Sequence, residues 1–137
     1  MPQTSVVSSP IAASRSAAPS PFECSWRPGG SGAAWVHIAG ELDLANTPEL
    51  RRVLSDAQLY ARMVVLDLRK VTFIESSGVH VILDAAANVQ PGNGRLIVVR
   101  GPTDVDRALT LTSVSSQLLI VDLDPNDPPV RALLHLA

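Results

Sequence analysis

The sequence contains one cysteine, few aromatic residues and no long apolar run. Cys24 has no second cysteine with which to form an intramolecular disulfide, and a lone thiol argues against a cysteine-based metal site. No apolar stretch approaches the roughly 20 residues that a membrane-spanning helix needs. The N-terminus also lacks the basic start and apolar core of a secretion signal. We therefore expect a soluble protein of the reducing cytoplasm.

The chain also lacks a strong excess of either charge, since 11 Lys and Arg stand against 13 Asp and Glu and the net charge is −2. The basic residues are scattered singly or in pairs, such as Arg51-Arg52 and Arg69-Lys70. Nucleic-acid binding needs clustered Lys and Arg against the phosphates, so we expect no nucleic-acid partner. The two basic pairs are most simply interpreted as solvated charges.

No pattern of metal ligands is present. The histidines His37, His80 and His135 are far apart and belong to unrelated predicted elements. The carboxylates between Asp122 and Asp127 lack the Gly and the terminal Glu of a calcium loop. We therefore expect neither a metal ion nor a cofactor.

The composition is that of a globular domain, with 46% apolar and 18% charged residues. Because aromatic residues make up only 4%, the core must be aliphatic. Residues 1–21 contain four Pro, six Ser and four Ala but neither Asp nor Glu. Such a segment buries too little apolar surface to offset the entropy of ordering it. We expect a disordered tail over 1–21 and one folded domain over 22–137.

After the tail, segments with strand periodicity alternate with segments of helical periodicity. The predicted strands cover 22–26, 35–39, 63–68, 95–99 and 118–121, and the predicted helices cover 47–61, 77–88, 103–112 and 130–136. A Gly-rich turn between the first two strands indicates an N-terminal hairpin. The alternation predicts an α/β domain with a four- to five-stranded, mixed but mostly parallel sheet and about four helices.

Two serines stand where the second predicted helix begins. Either Ser76 or Ser77 is expected to cap that helix, as Asn46 or Thr47 caps the first one, where Pro48 suits the first helical position. First-turn amides lack internal partners, and the helix dipole places partial positive charge there. A phosphate on Ser76 would therefore find N–H donors, and its charge would oppose docking of another protein. Capping and modification are compatible, since one serine can cap while the other is modified.

Four segments of the chain resemble the STAS domain family. They are Gly40-Glu-Leu-Asp-Leu44, Thr47-Pro-Glu-Leu50, Val65-Leu-Asp-Leu68 and Val71-Thr-Phe-Ile-Glu-Ser-Ser-Gly-Val79. The segments GELDL and ESSG stand about 35 residues apart in the right order, and their pairing is more specific than either alone. The chain is most similar to the anti-sigma factor antagonists of sporulation and general-stress partner switching.

The resemblance implies the STAS fold and a switch without catalytic activity. The unphosphorylated antagonist would bind an anti-sigma factor that is also a GHKL-type serine kinase, and this binding would release a sigma factor. The kinase would phosphorylate the serine after the acidic residue, which is Ser76, and a PP2C-type phosphatase would reverse the reaction. Roles in partner binding are implied for Asp43, Glu75, Ser77, Gly78 and His80. The resemblance implies no membrane partner and a monomer or weak dimer.

Three places depart from the family pattern. Glu75 replaces the usual Asp before the serine pair, and its extra methylene moves the carboxylate. His80 stands where a small residue, commonly Gly, is usual. Leu111-Thr-Ser-Val114 replaces Leu-Thr-Gly-Leu, in which Gly would allow a left-handed helix end. These departures leave open a different partner or a chain that is not phosphorylated.

Two other functions remain open at this point. Free-standing STAS proteins also serve as non-switching subunits of lipid-trafficking ABC transporters. Alternatively, Ser76 and His80, one helical turn apart, would be the nucleophile and base of a small hydrolase. However, Ile74 stands where the G-x-S-x-G motif needs its first Gly, and no orienting acid is evident. We therefore expect no enzymatic activity.

Overall fold

The computed structural model describes residues 22–88, 94–111 and 118–136. Three predictions lie wholly or largely outside the described residues: the tail over 1–21, the turn at 91–94 and the departure from the family pattern at 111–114. The rest of the predicted elements can be compared with the structure directly.

Five strands form one sheet in the order β1-β2-β3-β4-β5. The strands are β1 (Glu23–Pro28), β2 (Ala33–Leu42), β3 (Met63–Ile74), β4 (Arg95–Val99) and β5 (Leu119–Val121). The α-helices are α1 (Thr47–Tyr60), α2 (Ser76–Ala87) and α3 (Thr103–Leu111), and 3₁₀ helices span Gly30–Gly32 and Pro129–Leu136. β1 is antiparallel to β2, whereas the pairs β2–β3, β3–β4 and β4–β5 are parallel. The predicted α/β architecture with its N-terminal hairpin is confirmed.

One face of the sheet carries the main core. The α-helices bury their apolar stripes here against alternate residues of the strands, as the side-chain periods of helix and strand require. On α1, Leu50, Val53, Leu54 and Ala57 are buried, and the helix ends one residue before Ala61, the predicted end. The buried apolar residues in the described ranges include no aromatic side chain. The prediction of an aliphatic core is confirmed for these ranges.

The opposite face is covered in part by the C-terminal 3₁₀ helix. A smaller cluster here joins Val65, Ile97, Val99 and Val121 of the strands to Ala132. A last helix was predicted over 130–136, but it is a 3₁₀ helix and begins at Pro129. Its eight residues make it a long 3₁₀ helix, because 3₁₀ runs of more than three or four residues are uncommon.

β2 and β3 are both longer than predicted, because irregular pairing allows them to continue past their apolar runs. Register shifts occur between His37 and Ala39 and between Gly40 and Glu41. Gly40 has φ 97°, in the left-handed region that favours glycine. After these bulges Leu42 pairs with Ile74. The two strands therefore end side by side, and the segments that follow them are neighbours.

The face of the sheet opposite the main core also holds a buried ion pair. Asp67 Oδ2 lies 2.8 Å from Arg69 Nη2, and the side chains are 11% and 14% exposed. Arg69 Nε also donates to Asp67 Oδ1, and Arg69 Nη1 donates to the carbonyl oxygen of Asp124. Interpreting Arg69 as a solvated charge is therefore wrong, since the side chain lies inward against the sheet.

The ion pair forms part of the lining of a cavity of about 300 Å³. Burial raises the pKa of Asp67, but the hydrogen bonds and charge of Arg69 outweigh burial, so the net shift is downward. Burial lowers the pKa of His37 in the same lining, and this effect exceeds the opposing attraction of Asp67. The pKa of Asp67 is therefore lowered by its pairing with Arg69, whereas the pKa of His37 is lowered by burial.

Candidate functional site

A single residue connects β3 to α2. Glu75 has extended backbone angles, φ −96° and ψ 168°, and helical geometry begins at Ser76. The carbonyl oxygen of Glu75 accepts hydrogen bonds from the N–H groups of Gly78 (2.9 Å) and Val79 (3.2 Å). The N–H groups of Ser76 and Ser77 precede these bonds, so they belong to the first-turn amides that have no intrahelical acceptor.

The two serines differ in accessibility. The side chain of Ser76 is exposed. The hydroxyl oxygen of Ser77 is buried and has no hydrogen-bond partner among the described residues. A partner protein can therefore reach the hydroxyl of Ser76 without a conformational change, whereas the hydroxyl of Ser77 is covered.

Neither serine caps the helix. The N-cap residue is Glu75, and its side chain makes no capping hydrogen bond. A capping side chain must come from the residue just before the helix. Because β3 extends to Ile74, Glu75 occupies that position and both serines fall inside the first turn. The prediction that Ser76 or Ser77 caps α2 is therefore wrong.

The loop after β2 is hydrogen-bonded to this connection. The N–H of Glu75 donates to the carbonyl oxygen of Leu42 (3.0 Å). In the other direction, Oε1 of Glu75 accepts the N–H of Leu44 (3.1 Å). The GELDL and ESSG segments, distant in the sequence, are thus joined by two hydrogen bonds at one end of the sheet.

Asp43 forms hydrogen bonds inside the same loop. Both its carbonyl oxygen (3.0 Å) and its Oδ1 (3.2 Å) accept the N–H of Asn46. Asp43 is half-buried. These bonds close a short turn, so Asp43 orders the loop that Glu75 holds.

The start of α1 differs in detail from the prediction. Asn46 is the N-cap residue, but its side chain donates to the carbonyl oxygen of Glu41 (2.8 Å) instead of capping. The hydroxyl of Thr47 donates to the carbonyl oxygen of Leu44 (3.0 Å). Thr47 is the first helical residue and Pro48 the second. Both predicted caps are therefore wrong, because the two side chains stabilise the loop and not the helix amides.

Gly78 allows α2 to start close to the end of β2. A Cβ atom at this position would lie 2.7 Å from Leu42 Cγ and 3.1 Å from Ile74 Cγ1. Both side chains belong to the main core. Gly78 is itself buried, so its contribution to the site is close packing beneath the exposed residues.

Exposed apolar side chains accompany Ser76. Leu44 is 70% exposed and Phe73 is 46% exposed. Glu75 is exposed between Phe73 and Ser76 in the chain, and His80 is exposed one helical turn after Ser76. We call Leu44, Phe73, Glu75, Ser76 and His80 the Ser76 surface. Exposed apolar groups mixed with polar ones are typical of a site that binds another protein.

The structure thus divides the residues to which a role was assigned. Glu75, Ser76 and His80 are exposed, whereas Gly78 and the Ser77 hydroxyl are covered. Sequence reasoning missed Leu44 and Phe73, which bring the exposed apolar area. The only sequence signal for Leu44 was an apolar residue in a predicted loop, and Phe73 is indistinguishable from a core strand residue by pattern.

Ser76 and His80 do not form a catalytic pair. Within the described ranges, neither side chain is hydrogen-bonded to the other or to a carboxylate that would orient it. A nucleophile needs a base within hydrogen-bond reach and a third group that holds the base. The geometry therefore offers no support for a hydrolase.

Glu75→Ala is expected to loosen the loop after β2. Removal of the carboxylate leaves the Leu44 amide without its acceptor, and because this hydrogen bond is exposed its loss costs about 0.5–1.5 kcal/mol. Exchange of the Leu44 amide hydrogen, followed by NMR, should accelerate about threefold to tenfold. Glu75→Gln is the control, because its amide oxygen still accepts this bond. Unchanged exchange in Glu75→Ala would show that the contact does not order the loop.

Among the described residues, no three His, Cys, Asp or Glu side chains are grouped so that they could hold a metal ion. In the same ranges, no helix has the length and hydropathy needed to cross a membrane.

The sequence profile of the STAS domain matches residues 28–126. The match covers strands β2 to β5, helices α1 to α3 and the Ser76 surface, but only the last residue of β1. The chain therefore belongs to the STAS domain family.

Solved structures with the same fold include anti-sigma factor antagonists. One is an anti-sigma factor antagonist from Mycobacterium paratuberculosis, 21% identical with a TM-score of 0.73, over 86% of this chain and 96% of that one. SpoIIAA in its unphosphorylated form is 17% identical with a TM-score of 0.61, over 83% and 97% of the two chains. The phosphorylated form of the Bacillus cell fate determinant SpoIIAA is 16% identical with a TM-score of 0.63, over 84% and 100%. At these identities the likeness shows a shared fold.

Proposed function

We propose that this chain is an anti-sigma factor antagonist that binds its partner through the Ser76 surface and is released by phosphorylation of Ser76. The observation that carries the proposal is the exposed Ser76 at the N-terminus of α2, directly after Glu75, whose carboxylate holds the exposed Leu44, and three residues after the exposed Phe73. A hydroxyl in this position can be modified while the domain stays folded. The chain acts by binding and itself catalyses no step.

A phosphate on Ser76 would be tolerated by the domain but not by a docked partner. It carries about −1.5 to −2 charges at neutral pH and can accept the first-turn N–H groups of α2. It would also lie next to the carboxylate of Glu75, which already accepts the Leu44 N–H. A partner that covers Leu44 and Phe73 would have to desolvate both negative groups, which opposes binding.

The partner that we propose is an anti-sigma factor of the GHKL serine-kinase type in a bacterial cytoplasm, with a PP2C-type phosphatase restoring the unmodified form. The family membership of the chain and the names of its structural neighbours support this assignment. The buried hydroxyl of Ser77 supports Ser76 as the modified residue. The release of a sigma factor, as in general-stress or sporulation control, then follows from competition for the kinase.

Phosphopeptide mapping tests the modification directly. The chain is incubated with ATP and purified candidate kinases encoded near its own gene. We expect one phosphate on Ser76 in the wild type, none in Ser76→Ala and an unchanged yield in Ser77→Ala, provided that circular dichroism shows both variants to be folded. The unphosphorylated chain should form a stable complex with the same kinase.

Phosphate on Ser77, or a complex that forms equally well with the phosphorylated chain, would contradict the switch. Recovery of the chain with a transporter ATPase, and not with a kinase, would instead favour a non-switching subunit of an ABC transporter.

A further inference from the structure

β1 is the longer exposed edge of the sheet. It has six residues, whereas β5 at the other edge has three. Among the described residues, no strand pairs with the outer side of β1. An edge strand presents unpaired N–H and C=O groups and can pair with a strand of another chain.

The charges on β1 are arranged so that the strand is complementary to itself. Glu23 and Arg27 are exposed, lie on the same face of the sheet and flank Ser25 symmetrically. Within the described residues neither takes part in an ion pair, and Arg27 Nη2 forms a long hydrogen bond with His37 Nε2, at 3.4 Å. In an antiparallel pair of β1 strands centred on Ser25, Glu23 of each copy lies directly opposite Arg27 of the other.

We propose that two copies of this chain associate by antiparallel pairing of their β1 strands in this register, which extends the sheet across the dimer. A pairing centred on Cys24 or Trp26 would keep the helices of both copies on one face but would separate the opposite charges. Only the register centred on Ser25 brings both pairs of charges together. Cross-strand pairs of opposite charge stabilise a sheet, and like charges in the same places destabilise it.

The helix layer beside β1 does not oppose this arrangement. α1 lies over β1, as the Trp26 and Tyr60 rings show with centroids 5.1 Å apart. On α1, Arg52 forms ion pairs with Glu49 and Asp56, both at 3.7 Å. The helix therefore presents both signs of charge and no row of like charges. A six-residue edge buries little surface, so the dimer is weak and depends on concentration.

Sedimentation velocity of the full chain tests the proposal without reference to any other partner. From about 1 μM to about 1 mM, a span that covers the affinities of small interfaces, the wild type should shift from monomer to dimer. Glu23→Arg and Arg27→Glu each place like charges at both cross-strand pairs and should weaken dimerisation at least about tenfold.

Two combinations restore the charge pairs. An equimolar mixture of the two single variants should form heterodimers, since each strand then carries one sign of charge. The double variant Glu23→Arg/Arg27→Glu should form homodimers like the wild type. Arg62→Glu matches the charge change of Arg27→Glu at an exposed residue that precedes β3, and it should dimerise normally. A wild type that stays monomeric to about 1 mM, or variants in which neither combination restores dimers, would overturn the proposal.

Discussion

Ser76→Glu is expected to weaken binding of this chain to the proposed anti-sigma partner by about tenfold to hundredfold, which is about 1.4–2.7 kcal/mol. The new carboxylate lies at the exposed start of α2 beside that of Glu75. A partner that covers this surface would have to bury the new charge together with that of Glu75, and burial of an unpaired charge is costly. Titration calorimetry with the purified partner measures the change.

Ser76→Gln is the matched control, because Gln has the shape of Glu without its charge. It should bind at least severalfold more tightly than Ser76→Glu. Two results would contradict the mechanism. If Ser76→Glu bound like the wild type, the Ser76 surface would not be the docking site, and if Ser76→Gln lost as much affinity as Ser76→Glu, bulk and not charge would release the partner.

Asp67→Asn is expected to lower the free energy of unfolding by about 2–4 kcal/mol. Asp67 accepts three hydrogen bonds from Arg69, two from the guanidinium and one from the backbone N–H. With Arg69 only 14% exposed, loss of the carboxylate charge leaves a guanidinium largely removed from water and without a counter-ion. Such a loss is a large part of the stability of an ordinary domain. Urea unfolding followed by circular dichroism measures it.

The ion pair between Arg51 and Asp84 provides the matched comparison. It joins α1 to α2 at 3.0 Å, but the two side chains are 55% and 56% exposed. Asp84→Asn should therefore cost less than about 1 kcal/mol, since water screens exposed pairs. The double variant Asp67→Asn/Arg69→Met should recover part of the loss, because both charges are then gone. Equal losses in Asp67→Asn and Asp84→Asn would show that burial of the first pair does not matter.

The same pair produces a defined dependence on pH. The net pKa of Asp67 in the folded protein lies below its ordinary value of 3.8, so the unfolded chain binds this proton more readily. The contribution of the pair is complete above pH 4 and is lost as the pH falls through the folded pKa. Asp67→Asn should therefore lose less stability than the wild type when the pH falls below 4.

Local sequence was sufficient for the elements and for the place of the serines. Within the described residues, apolar periodicity located the five strands and the three α-helices, because each of these elements buries one face in the core. It did not locate their ends. β2 and β3 continue past bulges at Gly40 and its neighbours. Here the two strands are held by pairing with each other and do not show an apolar pattern. The predicted cap of α2 was wrong for the same reason, because β3 extends to Ile74 and leaves Glu75 as the N-cap residue.

The sequence by itself determined the α/β class, the aliphatic core and the serine pair at a helix start, because residue periodicity and residue type decide these locally. Only the tertiary structure decided which hydroxyl is accessible, how Glu75 holds the loop of Asp43, and that Arg69 is buried in an ion pair. Each of these depends on which segments lie beside one another across the sheet. That arrangement results from the packing of the whole domain, so no single stretch of sequence predicts it.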